Sequence, residues 1–86
     1  MKISRTARFK KAWKKLSEGE KELARKALQN LVADIRYPAL KIKKMQGTRY
    51  IWEARASRSL RITFHIEEDT IVLRNIGRHD ETLDRP

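Results

Sequence analysis

Near Gly47 the spacing of apolar residues changes from a helical period to a strand period, so the two sides of this glycine must fold differently. Before it, Phe9, Ala12, Trp13 and Leu16 recur at helical spacing, with lysines filling the opposite face. Ser17 followed by Glu20 has the S-x-x-E pattern of a capping box. Glu18, Glu20 and Glu22 fall in the first turns after it, where the helix dipole favours negative charge. Leu23, Ala27, Leu28, Leu31, Val32 and Ile35 form one apolar stripe. Pro38 stops this pattern and pushes the residue before it out of α geometry. The spacing predicts a first helix over residues 6–16 and a second over residues 18–36, joined as a tight antiparallel hairpin. Met1 to Ser4 reads as a short first strand with Ile3 facing inward.

Beyond the basic loop around Gly47, Tyr50, Trp52, Ala54 and Ala56 alternate with Ile51, Glu53 and Arg55. Leu60, Ile62, Phe64 and Ile66 alternate with Arg61, Thr63 and His65. Each run reads as a half-buried strand. Ser57 to Ser59 and Glu67 to Thr70 are the turns, and Ile71 to Ile76 is a mostly apolar last strand ended by Gly77. Short connections make these strands an antiparallel meander. Its apolar face needs a cover, which the helix hairpin supplies. The predicted class is α+β: a short N-terminal strand and an αα-hairpin packed on a curved antiparallel β-meander, as one domain over residues 1–86.

Charge narrows the function. The chain of 86 residues holds 21 Lys and Arg against 11 Asp and Glu, a net charge of +10. Solubility needs charge but not one sign of it, so the asymmetry points to a polyanionic partner. Residues 1–15 carry Lys2, Arg5, Arg8, Lys10, Lys11, Lys14 and Lys15 with no acid among them, and Lys41, Lys43 and Lys44 make a second cluster. There is no cysteine, which excludes a disulfide framework and a Cys-based zinc site. No apolar run approaches a membrane span, and no apolar stretch follows the basic N-terminus as in a secretory signal. The expected compartment is the cytoplasm, with no membrane partner.

Four segments occur in an order that resembles the RelE/ParE family of bacterial toxins. They are Lys43-Lys44-Met45-Gln46-Gly47, Trp52 to Arg55 (W-E-A-R), Leu60 to Phe64 (L-R-I-T-F), and Ile71 to Asp80 with its G-R-H-D end. The resemblance covers nearly the whole chain. It implies the toxin of a type II toxin–antitoxin pair. RelE-like members cut mRNA in the ribosomal A site without a metal or other cofactor, by attack of the RNA's 2′-hydroxyl on the adjacent phosphate. ParE-like members act on DNA gyrase, and a non-catalytic basic module binding nucleic acid or an acidic partner is a further reading. The implied partners are an acidic antitoxin that folds as it binds, mRNA and the 70S ribosome.

Metal-free RNA cleavage needs a base for the 2′-hydroxyl, cations for the phosphorane and an acid for the leaving 5′-oxygen. Strand alternation puts Glu53, Arg55, Arg61 and His65 on the face opposite Trp52 and Phe64. Arg61 matches the strand arginine that ribonuclease members use near the scissile phosphate, and a guanidinium suits that task. Arg55 is either a second phosphate contact or half of a cross-strand ion pair with a glutamate. His79 stands where ribonuclease members carry His or Arg, with Asp80 available to orient its ring. Glu53 is either a general base or a partner of Arg55 or Arg61, and His65 reads as a cross-strand filler. Lys41, Lys43, Lys44, Lys10, Lys11, Lys14 and Arg78 are expected to hold the RNA backbone. Some members carry two lysines where this chain has Ile51 and Glu53, and a tyrosine where Arg85 falls. Others use a glutamate where Pro38 and Ala39 stand, and end in His-Tyr where this chain has His79-Asp80.

Overall fold

A computed structural model describes residues 1–48 and 50–86, and the backbone alone at Glu81. The elements run β1 (Lys2–Arg5), α1 (Ala7–Lys14), α2 (Glu18–Ala33), a 3-10 turn (Pro38–Leu40), β2 (Lys43–Lys44), β3 (Trp52–Arg55), β4 (Leu60–Glu67), β5 (Thr70–Arg78) and α3 (His79–Asp84). The strands form a five-stranded sheet in the order β1-β5-β4-β3-β2. β1 runs parallel to β5, and the other neighbours are antiparallel. The class is the predicted α+β.

Local chemistry starts the helices. Thr6 caps α1 by accepting the Phe9 N–H, and its hydroxyl also donates to the carbonyls of Leu73 and Arg74, which ties the helix start to β5. Ser17 and Glu20 close the expected capping box, with Glu20 N to Ser17 Oγ at 3.1 Å and Ser17 N to Glu20 Oε1 at 2.9 Å. The carboxyl of Glu20 is held below its ordinary 4.5, chiefly because it accepts the Ser17 backbone N–H. Desolvation opposes this, while the Ser17 hydroxyl and the Arg78 charge add to it.

α2 ends at Ala33, three residues before the predicted boundary. Pro38 is not what stops it. Asp34 turns the backbone extended at φ −158°, and its Oδ1 accepts the Arg36 N–H at 2.9 Å, a local bond that competes with the next helical turn. Pro38 instead opens the 3-10 turn. The apolar stripe is also narrower than predicted. Ala24, Ala27 and Leu31 are buried, whereas Leu23 and Val32 flank them and are exposed.

The core lies between the helices and one sheet face. Phe9, Ala24, Ala27 and Leu31 meet Leu40, Ala54, Leu60, Ile62, Phe64, Ile71, Leu73 and Ile76 there, with Ile3 and Trp52 packed at its margin. Removing each large side chain of this set from water contributes about 1.5–3 kcal/mol.

The sheet departs from the predicted meander in four ways. The segment expected as a basic loop contains the edge strand β2, which pairs Lys43 with Glu53 and Lys44 with Trp52. Gly77 does not end the last strand; it pairs with Arg61 inside β5, which continues to Arg78. The helix α3 follows at once and was not predicted. Tyr50, placed with the inward set by alternation, lies outside β3 and is exposed, while Ile51 is buried.

The β4/β5 register also shifts between Thr63 and Phe64. Thr63 pairs with Asn75 and Phe64 with Leu73, which leaves Arg74 as a bulge residue. The bulge sends the side chains of Arg74 and Asn75 toward the same C-terminal segment, where they donate to the carbonyls of Pro86 and Arg85.

Candidate active site

Five of the residues singled out from the sequence sit together at one end of the sheet's outer face. β3 and β4 pair Arg55 directly with Arg61, and Glu53 with Thr63. Glu53 is 4% exposed and is the hub. Its Oε1 lies 3.6 Å from Arg61 Nε and 3.9 Å from Lys43 Nζ, and its Oε2 lies 3.5 Å from His79 Nδ1. β2 brings the lysine, the β4 hairpin brings the arginine, and the unpredicted continuation of β5 into α3 brings the histidine.

Arg61 is buried on the polar side of the sheet, not in the apolar core. Its Nη1 donates to the carbonyls of Ser57 at 2.8 Å, Arg58 at 3.0 Å and Leu60 at 3.3 Å. These bonds hold the guanidinium plane, and the turn between β3 and β4 is shaped around it. Among the described residues, no hydrogen-bond partner takes its Nη2 group. The Arg55 Nε is buried with no hydrogen-bond partner among the described residues. Two like charges directly opposite one another in a ladder repel, and an unpaired buried donor costs about 1–3 kcal/mol. An anion between Arg55 and Arg61 would relieve both.

His79 keeps 46% of its side chain exposed while its Nδ1 faces Glu53. That leaves the other ring nitrogen available to a ligand. The neighbour expected to orient the ring, Asp80, forms no hydrogen bond or ion pair with it among the described residues; the carboxylate in place is that of Glu53.

The basic residues divide by location. Lys43 reaches the hub, whereas Lys44 pairs with Trp52 and lies on the other side of the ladder. Lys41 borders an apolar recess with Tyr37, Ile42 and Trp52. Lys10 and Lys14 border a separate recess with Phe9 and Trp13. Lys11 and Arg78 line an open groove of about 680 Å³ with Arg8, Lys15 and Arg85, opposed by Glu20 and Asp84. Arg8 and Lys15 were legible as members of that set, because Arg8, Lys11 and Lys15 follow helical spacing while Lys10 and Lys14 take the adjoining face.

The middle of the outer face is not open. Thr63, Asn75 and Thr82 are buried. Thr63 Oγ1 donates to the Pro86 carbonyl at 2.9 Å, and Asn75 Nδ2 donates to the Arg85 carbonyl at 2.7 Å. The outer face that alternation assigns to Glu53, Arg55, Arg61 and His65 is therefore divided by the C-terminal segment, with Arg61 on one side of the cover and His65 on the other. His65 is 9% exposed beyond this cover and belongs to a second cluster with Tyr50 and Arg74.

Among the described residues, no group of three or more His, Asp or Glu side chains is placed to hold a metal ion. No helix among them is long and apolar enough to cross a membrane.

An αα-hairpin on a mixed five-stranded sheet, with β1 parallel to β5 and a C-terminal helix across the outer face, is the fold of the RelE-like toxins of toxin–antitoxin systems. YafQ from Escherichia coli superposes with a TM-score of 0.78 at 12% identity, over 93% of this chain and 94% of that one. The RelB–RelE antitoxin–toxin complex from Methanococcus jannaschii contains a chain matching at TM-score 0.77 and 18% identity, over 94% and 95%. A chain of the E. coli RelBE toxin–antitoxin complex matches at 0.70 and 19%, over 90% and 94%. No family model and no curated protein sequence matches the chain.

Proposed function

We propose that this chain is the toxin of a type II toxin–antitoxin pair and acts as a ribosome-dependent mRNA endonuclease. The observation that carries the reading is the shared carboxylate. Glu53 meets both Arg61 and His79, and so gathers a phosphate-binding group and a proton-transfer group at one spot. The RelE-like fold supports the class, and the RelB-bound neighbours support an antitoxin partner.

In this reading the 2′-hydroxyl of the RNA attacks the adjacent phosphorus. A P–O2′ bond forms, the P–O5′ bond breaks, and a cyclic phosphate and a free 5′-hydroxyl result. Arg61 and Arg55 hold the non-bridging oxygens as charge builds on the phosphorane. His79, turned by Glu53 on its Nδ1 side, takes the 2′-hydroxyl proton through its other ring nitrogen and returns a proton to the leaving 5′-oxygen. Glu53 is a positioning residue here, since its carboxylate is occupied by Arg61 and His79. Lys43 and the groove residues Lys11 and Arg78 track the backbone on either side.

Induced expression in a bacterial host tests the reading. The wild type should arrest growth, and His79→Ala should relieve the arrest while the variant accumulates as a folded protein. A folded His79→Ala protein that stays fully toxic, with DNA-damage signalling in place of translation arrest, would favour gyrase binding.

A further inference from the structure

The second cluster on the outer face has no part in the cleavage chemistry. Tyr50 is 57% exposed, a large aromatic ring at the surface of a strongly basic protein. It is nonetheless firmly placed. Its ring meets the His65 ring edge-on, with centroids 5.5 Å apart and planes at 82°. The Arg74 guanidinium carbon stands 5.6 Å from the Tyr50 centroid.

Each buttress is itself held. Arg74 Nη1 donates to His65 Nδ1 at 2.9 Å, and its Nε donates to the Pro86 carbonyl at 3.1 Å. Arginine only donates, so Nδ1 accepts and the ring proton lies on Nε2, which donates to Glu67 Oε1 at 2.9 Å. The β5 bulge is what turns Arg74 to this side. An exposed aromatic ring flanked by a fixed guanidinium plane fits the flat faces of a nucleobase, and it tolerates any base because all have such faces.

The cluster stands in line with the proposed active site. His65 and Arg61 share one side of β4 by strand alternation, four residues apart. At a rise of about 3.3 Å per residue this is roughly 13 Å, a span that a short single-stranded segment covers.

We propose that Tyr50, with Arg74 and His65 behind it, is a stacking platform for an unpaired base of the RNA strand whose phosphate lies at Arg55 and Arg61. This inference rests on RNA being the substrate and adds how a base next to the cut is held. It assigns Tyr50 a substrate-holding role, not a catalytic one.

The test is an NMR titration of the full chain with a short single-stranded RNA, 2′-O-methylated to block cleavage, and with the same strand made abasic. The intact strand should shift the Tyr50 ring resonances upfield, and the abasic strand should not. Tyr50→Ala should weaken binding of the intact strand about five- to a hundredfold, the range of stacking one base, and leave the abasic strand unaffected. Tyr50→Trp should restore the affinity. Equal binding of both strands by the wild type, or equal weakening of both by Tyr50→Ala, would overturn the platform. Shifts at Tyr50 with an acidic peptide but not with RNA would also overturn it. A wild type that binds neither strand likewise ends it. Mapping mRNA cuts by the same wild-type protein then decides separately whether the nuclease reading stands.

Discussion

Arg55 and Arg61 make different contributions although they face each other. Arg61 is built into the turn through three carbonyl bonds and an ion pair with a buried glutamate. Breaking a buried pair by removing one partner costs about 3–5 kcal/mol, so loss of activity in Arg61→Ala mixes lost chemistry with lost stability. Arg55 gives the cleaner experiment. Its Nε has no hydrogen-bond partner among the described residues, and it faces a like charge. Arg55→Gln should leave the melting temperature unchanged or raised, and should lower the rate of mRNA cleavage by at least about tenfold. Thermal unfolding beside a cleavage assay reads both, and a destabilised variant with full activity would refute the assignment. Such opposed effects mark a residue kept for function at some expense of stability.

The helices and the parity of the central strands were readable from the sequence because both depend on local periodicity. The Ser17–Glu20 box closes as its spacing requires. Ser17→Ala should cost about 1 kcal/mol, which is a fall of roughly 4–8 °C in a domain of this size. The Glu20 carboxyl is lowered in the folded state, so its contribution is fully present above its ordinary value of 4.5 and is lost as pH falls through the lowered value. The stability difference between wild type and Glu20→Gln should therefore shrink on acidification below that range, as thermal melts across pH would show. What the sequence did not reveal depends on distant partners. The parallel pairing of β1 with β5 joins residues nearly seventy positions apart in the chain. The bulge at Arg74 is set by register against β4, and no residue type announces it. α3 is short and polar, with no helical stripe, and it is recognisable only by the face it covers.

At the scale of the molecule, the candidate site was partly legible. Glu53, Arg55 and Arg61 could be placed on one face by alternation alone, whereas their meeting with His79 required β5 to run on through Gly77. The lysines were harder to sort, because charge clusters in sequence separate in space. Lys10 and Lys14 turn away from the groove that Lys11 lines, and Lys44 turns away from the carboxylate that Lys43 approaches. This sorting predicts a salt effect. Single-stranded RNA affinity should fall steeply with salt, and Lys11→Ala should flatten the slope of log affinity against log salt by about 0.7. Lys14→Ala, on the adjoining face of the helix and outside that groove, should leave the slope unchanged in the same binding measurement.

Arg61 and His79 meet on Glu53, and primer extension on cellular mRNA after induction tests most directly whether they cut a phosphodiester there. The wild type should produce new 5′ ends within translated reading frames, and a folded His79→Ala variant should produce few or none. Uncut message in growth-arrested wild-type cells, or an undiminished pattern of cuts in His79→Ala, would contradict it.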